Sequence, residues 1–349
     1  MLKPYSRAEL LFDLQEEIGH EGKNSQVFKS HDPQLDAELV IKQIPKTSLP
    51  GTDEYYEESG VLYLSSHPNV VPIHYACEDN DNIYLAMPYY SNGSLNELMN
   101  QRFLTVREIV RYASQFMSGL HNIHSKQLIH FDIKPDNILI SNQGEALLSD
   151  FGLTKQTAIN GYAGQDRMYG KMAPPEAFAN GDEYTTAFDI YQSGLTLYRM
   201  CVGNDEFYHQ FNAYDVQGNF DRDRFIFDVR NGDFPNRDIF PEHIPRRLIN
   251  VVRKCMHTNI DERYTAAIHV INDLAGIDGN DLDWQYKLTP AGERVWSKVS
   301  DSRSYELFIN VDGSTVARKT SAAGNTQRIA NYCKDSINLT EIRRFLREY

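Results

Sequence analysis

The alternation of apolar and polar positions changes character along the chain. Between residues 12 and 90 it is short and β-like: Gln26 to Ser30, Glu38 to Ile44, Val70 to Cys77 and Asn82 to Met87 read as strands, the last two parted by the polar turn EDNDN. One helical stretch, Glu54 to Ser66, interrupts them, with Val61, Leu62 and Leu64 on its apolar face. From Ser94 onward the spacing is helical. In VREIVRYASQFMSGLHNIHS the residues Ile109, Tyr112, Ala113, Phe116, Leu120 and Ile123 recur at three- and four-residue steps. Residues 203–245 read as irregular segments around short helices, and RRLINVVRKCM restores a helix. The pattern therefore predicts an α+β chain in which a β-rich lobe precedes a helical one.

The pattern changes again near residue 276. Tyr305 to Val311 alternates as a strand, Asp312 and Gly313 make a turn, and a second strand runs through Val316. A closing helix places Ile342, Phe345, Leu346 and Tyr349 on one face. We read a small α+β appendage over residues 276–349, after an N-lobe (1–90) and a C-lobe (91–275). No internal repeat is present, which excludes a solenoid.

A length of 349 residues exceeds what one core supports and agrees with two or three units. The 41% apolar and 24% charged fractions are those of a globular chain. A net charge of −13 disfavours nucleic-acid partners, because phosphate attraction needs the opposite sign. Residues 300–349 alone carry 8 Lys/Arg against 6 Asp/Glu, a contrast that points to a partner bound by the appendage. Four cysteines lie scattered without metal-ligand spacing, as expected of reduced thiols in a cytoplasm. Charges run through the first residues, and no uncharged apolar stretch of about 18 residues follows, so neither a signal peptide nor a membrane partner is expected.

The chemistry is concentrated in LIHFDIKPDNILI and LLSDFGL. Transfer of a phosphoryl group requires a carboxylate to take the acceptor's proton, with oxygen ligands that hold a divalent cation on the phosphates. Asp132, Asn137 and Asp150 provide such a set, and DFG begins 18 residues after Asp132. These intervals resemble the catalytic loop and DFG element of the eukaryotic-like Ser/Thr protein kinases, including their bacterial and phage-encoded members. The resemblance covers about residues 12–275. It implies the bilobal protein-kinase fold and transfer of the ATP γ-phosphate to Ser/Thr hydroxyls of protein substrates, with Mg2+, or Mn2+ in its place, as metal. It further implies Asp132 as base, Lys134 as the γ-phosphate cation, and Asn137 and Asp150 as metal ligands.

The same resemblance assigns the upstream elements. LVIK is similar to the family's V-A-I-K strand, so Lys42 would pair with the α- and β-phosphates and with a helix glutamate, Glu58, nine residues before His67. IGHEGKNSQVF stands where the phosphate-covering loop belongs, with Gly19, Gly22 and Ser25 in the glycine positions before Val27, one residue longer than the family pattern. IYLAMPYY matches the hinge: Met87 as gatekeeper, with the Pro88 carbonyl and Tyr90 N–H facing adenine. Val27, Val40 and Leu139 would sandwich the ring. Leu62, Ile73, His130 and Phe151 match the column that aligns the lobes. APPE (Ala173 to Glu176) is similar to A-P-E, with Arg263 as the partner of Glu176 and Asp189 supplied by DIYQSG.

Three departures bear on function. H-R-D is His130-Phe131-Asp132 here, which removes the arginine that usually binds a phosphorylated activation loop. Before APPE, Tyr169 replaces the threonine typical of Ser/Thr kinases and Lys171 is similar to the lysine of tyrosine kinases, whereas Lys134 favours Ser/Thr; dual specificity stays open. The competing functions are an ATP-binding pseudokinase scaffold and a small-molecule phosphotransferase. Both are disfavoured by a complete Lys42, Asp132, Lys134, Asn137 and Asp150 set.

Overall fold

The computed structural model describes residues 11–19, 25–48, 66–158, 160–165, 170–179 and 181–349. Five strands open the chain: β1 (Asp13–Gly19), β2 (Gln26–Asp32), β3 (Ala37–Pro45), β4 (Tyr75–Glu78) and β5 (Asn82–Pro88). They pair antiparallel in the order β1-β2-β3-β5-β4. The period-two pleat turns Leu39 and Ile41 of β3 into the core while Val40 and Lys42 occupy the half-buried opposite face. Register then sets Lys42 between Val27 on β2 and Leu85 on β5.

The strands expected at 26–30, 38–44 and 82–87 form, but the one expected from Val70 begins only at Tyr75. Pro72 has no N–H for a ladder, and the residues before it are used elsewhere. Val70 bridges Leu148, and the Val71 N–H donates to the Leu148 carbonyl at 2.9 Å, tying this stretch to the helical lobe. Strand β1 was not expected, because it is an exposed edge whose polar run DLQEE carries no alternating signal. The helix expected over 54–66 falls, except for Ser66, outside the described residues, and with it Val61, Leu62 and Leu64.

The second lobe is built from α1 (Leu95–Gln101), α2 (Val106–His124), α3 (Ala187–Val202), α4 (Asn204–Asn212), α5 (Arg222–Asn231), α6 (Arg246–Cys255) and α7 (Ala267–Ala275). Capping boxes start the first two: Ser94 with Glu97, and Thr105 with Glu108. Helix α3 is buried over nearly its whole length. It closes on α6 only because residue 194 is glycine, since a Cβ there would lie 2.6 Å from the Cys255 Cβ. Between α2 and α3 run short paired strands. They are β6 (Leu128–Ile129) with β9 (Lys155–Gln156), β7 (Ile138–Ile140) with β8 (Ala146–Leu148), and β10 (Ala163–Gly164) with β11 (Glu183–Tyr184). This is the bilobal α+β arrangement expected.

The tail holds more strand than expected. After the small hairpin β12 (Asp215–Val216) and β13 (Asn219–Phe220) of the helical lobe, a five-stranded antiparallel meander follows. It comprises β14 (Gln285–Leu288), β15 (Arg294–Ser300), β16 (Arg303–Ile309), β17 (Thr315–Ser321) and β18 (Thr326–Arg328), closed by α8 (Leu339–Glu348). Val311, expected to end a strand, is instead 71% exposed in the β16–β17 turn. Trp284, Trp296, Leu307, Ile342, Phe345 and Leu346 form its core. That core is joined to the helical lobe by buried groups: the Trp296 indole N–H donates to His243 Nδ1 at 3.2 Å, and the Tyr286 ring packs 5.2 Å from His243. Burial holds the His243 imidazole neutral, with its pKa down to about 3. Among the described residues no helix is long and apolar enough to cross a membrane.

Candidate active site

The segment His130 to Asn137 leaves β6 and turns through a short 3-10 helix, Pro135–Asn137, into β7. Its carboxylate, Asp132, is buried with two neighbours on one oxygen: Asn137 Nδ2 donates to Asp132 Oδ2 at 2.7 Å, and Lys134 Nζ lies 3.1 Å from it. The other oxygen, Oδ1, is buried with no hydrogen-bond partner. A buried acceptor left open is costly unless a ligand completes it, and an incoming hydroxyl would do so. Burial pushes the Asp132 pKa up from its ordinary value, with Lys134 opposing the rise.

Across the lobes, Lys42 Nζ lies 3.1 Å from Asp150 Oδ1. The Lys42 ammonium is the main reason the Asp150 pKa falls to about 2. Asp150 has φ 56°, a left-handed conformation uncommon outside glycine. Asn137 donates its amide N–H to both the carboxylate and the main-chain carbonyl of Asp132, which leaves its side-chain carbonyl oxygen as an acceptor. An amide oxygen and a half-exposed carboxylate are the hard oxygen donors that suit Mg2+ or Mn2+.

Two fixtures hold these groups in register. The first is Ser149, whose N–H and hydroxyl donate to the Asn137 carbonyl at 2.9 and 3.0 Å. Its own carbonyl accepts from His130 Nε2 at 3.1 Å, and His130 Nδ1 accepts from the Asp132 N–H at 3.3 Å. One ring nitrogen donating and the other accepting requires neutral imidazole, which agrees with the burial that lowers the His130 pKa. The second fixture is α3. Fully buried Asp189 accepts from the main-chain N–H groups of His130 and Phe131, each at 2.8 Å, and lies 2.8 Å from His124 Nε2. Gln192 accepts from the Ile133 N–H at 2.9 Å and donates to the Phe131 carbonyl at 3.1 Å.

The roles of Gln192 and His124 were missed in the sequence. Asp189 and Gln192 stand three residues apart in a largely apolar helical run, so they share a face, and that spacing was the available signal.

The residues that the resemblance assigned to the nucleotide stand mostly on β1, β2, β3, β5 and β7. Register sets Gly19 opposite Val27 and Val40 opposite Met87, with Pro88 opposite Leu39 at the end of β5. Val27, Val40, Met87, Pro88, Tyr90 and Leu139 are all half-buried. Ser25 is half-buried just before β2. Gly22, expected to cover the phosphates, and Glu58, the expected partner of Lys42, lie outside the described residues. The aligning column is present in part, with His130 and Phe151 rings 4.9 Å apart. Arg263 holds Glu176 through two hydrogen bonds of 2.7 Å.

Phe131 lies where the family carries arginine. Its backbone is left-handed, φ 67°, and its ring is wholly buried with Ile129, Ala163, Tyr184 and Phe188. The chain after DFG is tied down locally: β9 pairs with β6, β10 with β11, and the Gln165 amide donates to the Leu153 carbonyl at 2.8 Å.

The protein kinase domain family model matches residues 12–273. Among curated proteins, the chain is 25% identical to mitogen-activated protein kinase kinase kinase 1b of Physcomitrium patens, over 84% of this chain and 36% of the relative. It is 32% identical to L-type lectin-domain containing receptor kinase V.5 of Arabidopsis thaliana, over 52% of this chain and 29% of the relative. It is also 22% identical to serine/threonine-protein kinase PknD of Protochlamydia amoebophila, over 89% of this chain and 35% of the relative. The chain thus spans well under half the length of these relatives. With its family match covering the cleft, the catalytic loop and the segment through Arg263, the chain belongs to the protein kinase domain family.

Proposed function

We propose that this chain transfers the γ-phosphate of ATP to serine or threonine hydroxyls of proteins, with Asp132 accepting the hydroxyl proton. The observation that carries the reading is the open, buried Oδ1 of Asp132, whose other oxygen is held by Asn137 and Lys134. That arrangement orients one carboxylate oxygen for an incoming hydroxyl. Lys134 is placed to meet negative charge developing on the transferred group, and Lys42 to hold the remaining phosphates. Asn137 and Asp150 would hold Mg2+ or Mn2+, which supplies charge neutralisation on the phosphates. Gly19, Gly22 and Ser25 would cover the phosphates, and Val27, Val40, Met87, Pro88, Tyr90 and Leu139 would enclose the adenine.

The serine/threonine preference rests on Lys134 and on similarity to serine/threonine-protein kinases such as PknD. We take residues 1–90, 91–275 and 276–349 as the two lobes and the appendage, and we propose that the appendage also binds a protein partner. A cytoplasmic setting is supported by four cysteines that are all free thiols. The test is incubation of the full chain with γ-labelled ATP, a divalent cation and protein acceptors, followed by acid hydrolysis. Label on phosphoserine or phosphothreonine is expected. Label confined to phosphotyrosine, or to a small molecule, contradicts the reading.

A further inference from the structure

Strand β17 alternates between two faces. Thr315 and Ala317 are buried on the side of the core that the tail sheet shares with α8, which leaves Val316, Arg318 and Thr320 on the outward face. Strand β18 continues that face: register sets Arg328 directly opposite Arg318 and Thr326 opposite Thr320. The Thr320 and Thr326 hydroxyls lie 3.0 Å apart, so these side chains share it. The Ile329 N–H donates to the Ala317 carbonyl at 2.9 Å, which makes Arg318 and Arg328 a non-hydrogen-bonded ladder pair, the kind whose side chains approach most closely. Cβ atoms in such a pair are about 4.5–5.5 Å apart.

Like charges set directly opposite one another destabilise a sheet. Both arginines are exposed, and among the described residues neither guanidinium has a hydrogen bond or an ion pair. Other basic residues of the tail are engaged: Arg294 with Glu242, Lys298 with the Asn280 carbonyl, and Lys334 with Glu341. Along the row that crosses the sheet through the pair, the remaining positions are Glu306, opposite Arg318, and then Ser297. Glu306 offsets one of the two charges without forming an ion pair. Arg303 and Lys319 alternate with these positions and stand on the other face. The hairpin from Thr315 to Arg328 contains no acidic residue, in a chain whose net charge is −13. One charge at the edge is enough to keep an edge strand from pairing, and Arg328 supplies it; Arg318, one strand further in, needs another reason.

We propose that this face of the tail binds a phosphoserine or phosphothreonine side chain of a protein substrate, held between Arg318 and Arg328. A phosphomonoester carries about 1.5–2 negative charges and three acceptor oxygens, so it answers both guanidinium groups at once, whereas a carboxylate neutralises only one. The Thr320 and Thr326 hydroxyls, one row along the same face, are further donors. The inference rests on the protein-kinase reading above and gives the partner of the tail a chemistry: it is the product of the chain's own reaction, retained after transfer.

The experiment measures binding of the full chain, without ATP, to a fluorescent glycine–alanine peptide carrying one phosphothreonine, to its unphosphorylated form and to its glutamate form. The phosphopeptide should bind about tenfold more tightly than the unphosphorylated one, because two screened surface charge contacts of roughly three- to fivefold each multiply, and the glutamate form should fall between them. The preference should narrow in about 0.5 M salt, where the Debye length shortens. Arg318→Ala and Arg328→Ala should each weaken phosphopeptide binding about three- to fivefold, and the double variant should lose the preference. The thermal midpoint of each single variant should stay at or above that of the wild type, because the substitution relieves a like-charge pair. Equal binding of the three peptides, a preference indifferent to both arginines, as for a peptide held at Asp132, or a fall in the midpoint of both variants overturns the inference alone. So does a single-stranded RNA oligonucleotide that binds these arginines more tightly than the phosphopeptide. A chain that binds the phosphopeptide through them but labels no protein from γ-labelled ATP overturns the kinase reading instead.

Discussion

The Phe131 ring packs 5.0 Å from that of Phe188, centroid to centroid, and both are sealed by Tyr184. An apolar cluster thus occupies the position from which an arginine would reach a phosphorylated loop. None of the residues of this cluster carries a charge with which to offer a phosphate a charge-assisted hydrogen bond, each worth about 1.5–3 kcal/mol. We therefore expect the initial rate on an added substrate to be unchanged after phosphatase treatment and removal of the phosphatase. A lag that vanishes as loop phosphate returns would contradict this.

The same cluster predicts the cost of restoring the arginine. Phe131→Arg buries a charge among Ile129, Phe188 and Tyr184, so the variant should be destabilised by several kcal/mol, the effective penalty for one unpaired buried ion. Denaturant titration checks this. An unchanged midpoint would mean that the pocket has a partner ready for the guanidinium.

Asp189 braces the catalytic loop through two main-chain N–H groups, so Asp189→Ala leaves both unpaired in the core. At about 1–3 kcal/mol for each orphaned group, the variant should lose roughly 2–6 kcal/mol of stability together with activity. Gln192→Ala, which removes one accepted and one donated bond, should show the same pattern at smaller size.

Protonation has opposite consequences for the two carboxylates. The Asp132 pKa is raised by burial, so the acid limb of kcat/KM should turn above the ordinary carboxylate value. Asp150, held down to about 2 chiefly by Lys42, stays ionised through that range. Its contribution to stability is present above the unfolded carboxylate pKa and is lost only as pH falls towards 2. Asp132→Asn should therefore abolish the acid limb along with activity while leaving acid unfolding nearly unchanged. A rate profile that turns below the ordinary value would assign the limb elsewhere.

Trp296 ties the tail sheet to His243 of the helical lobe. Removing so large a buried side chain costs about 3–5 kcal/mol in other proteins, so Trp296→Ala should lower the thermal midpoint of the whole chain. Deleting residues 284–349 should do so more severely, because it also exposes His243 and Phe103, whose ring packs 4.8 Å from that of Tyr286. A deletion that leaves the midpoint unchanged would make the tail an independent module.

The motifs of the catalytic loop were legible because their chemistry fixes residue type and interval together: Lys134 and Asn137 meet the Asp132 carboxylate, and Asp150 meets Lys42. Helix α2 was legible because its apolar face repeats over five turns, whereas β1 was not, because an exposed edge strand has no buried face to impose alternation. Hairpin β14–β15 was hidden for a related reason: Lys287, Leu288 and Ser297 are exposed, and of the three buried positions, Tyr286, Trp296 and Lys298, one is a lysine that does not look apolar. Polar residues inside α3 were harder to interpret. Gln192 and Arg199 look like surface positions until the packing shows that the catalytic loop is hung from them.

The most direct test of the central claim is the rate of γ-phosphate transfer to protein by the purified full chain and by its Asp132→Asn variant at saturating ATP and metal. The account predicts a loss of at least about 10²-fold, the lower end of what a positioned general base contributes, with ATP binding retained. A folded Asp132→Asn protein that transfers phosphate near the wild-type rate would contradict it.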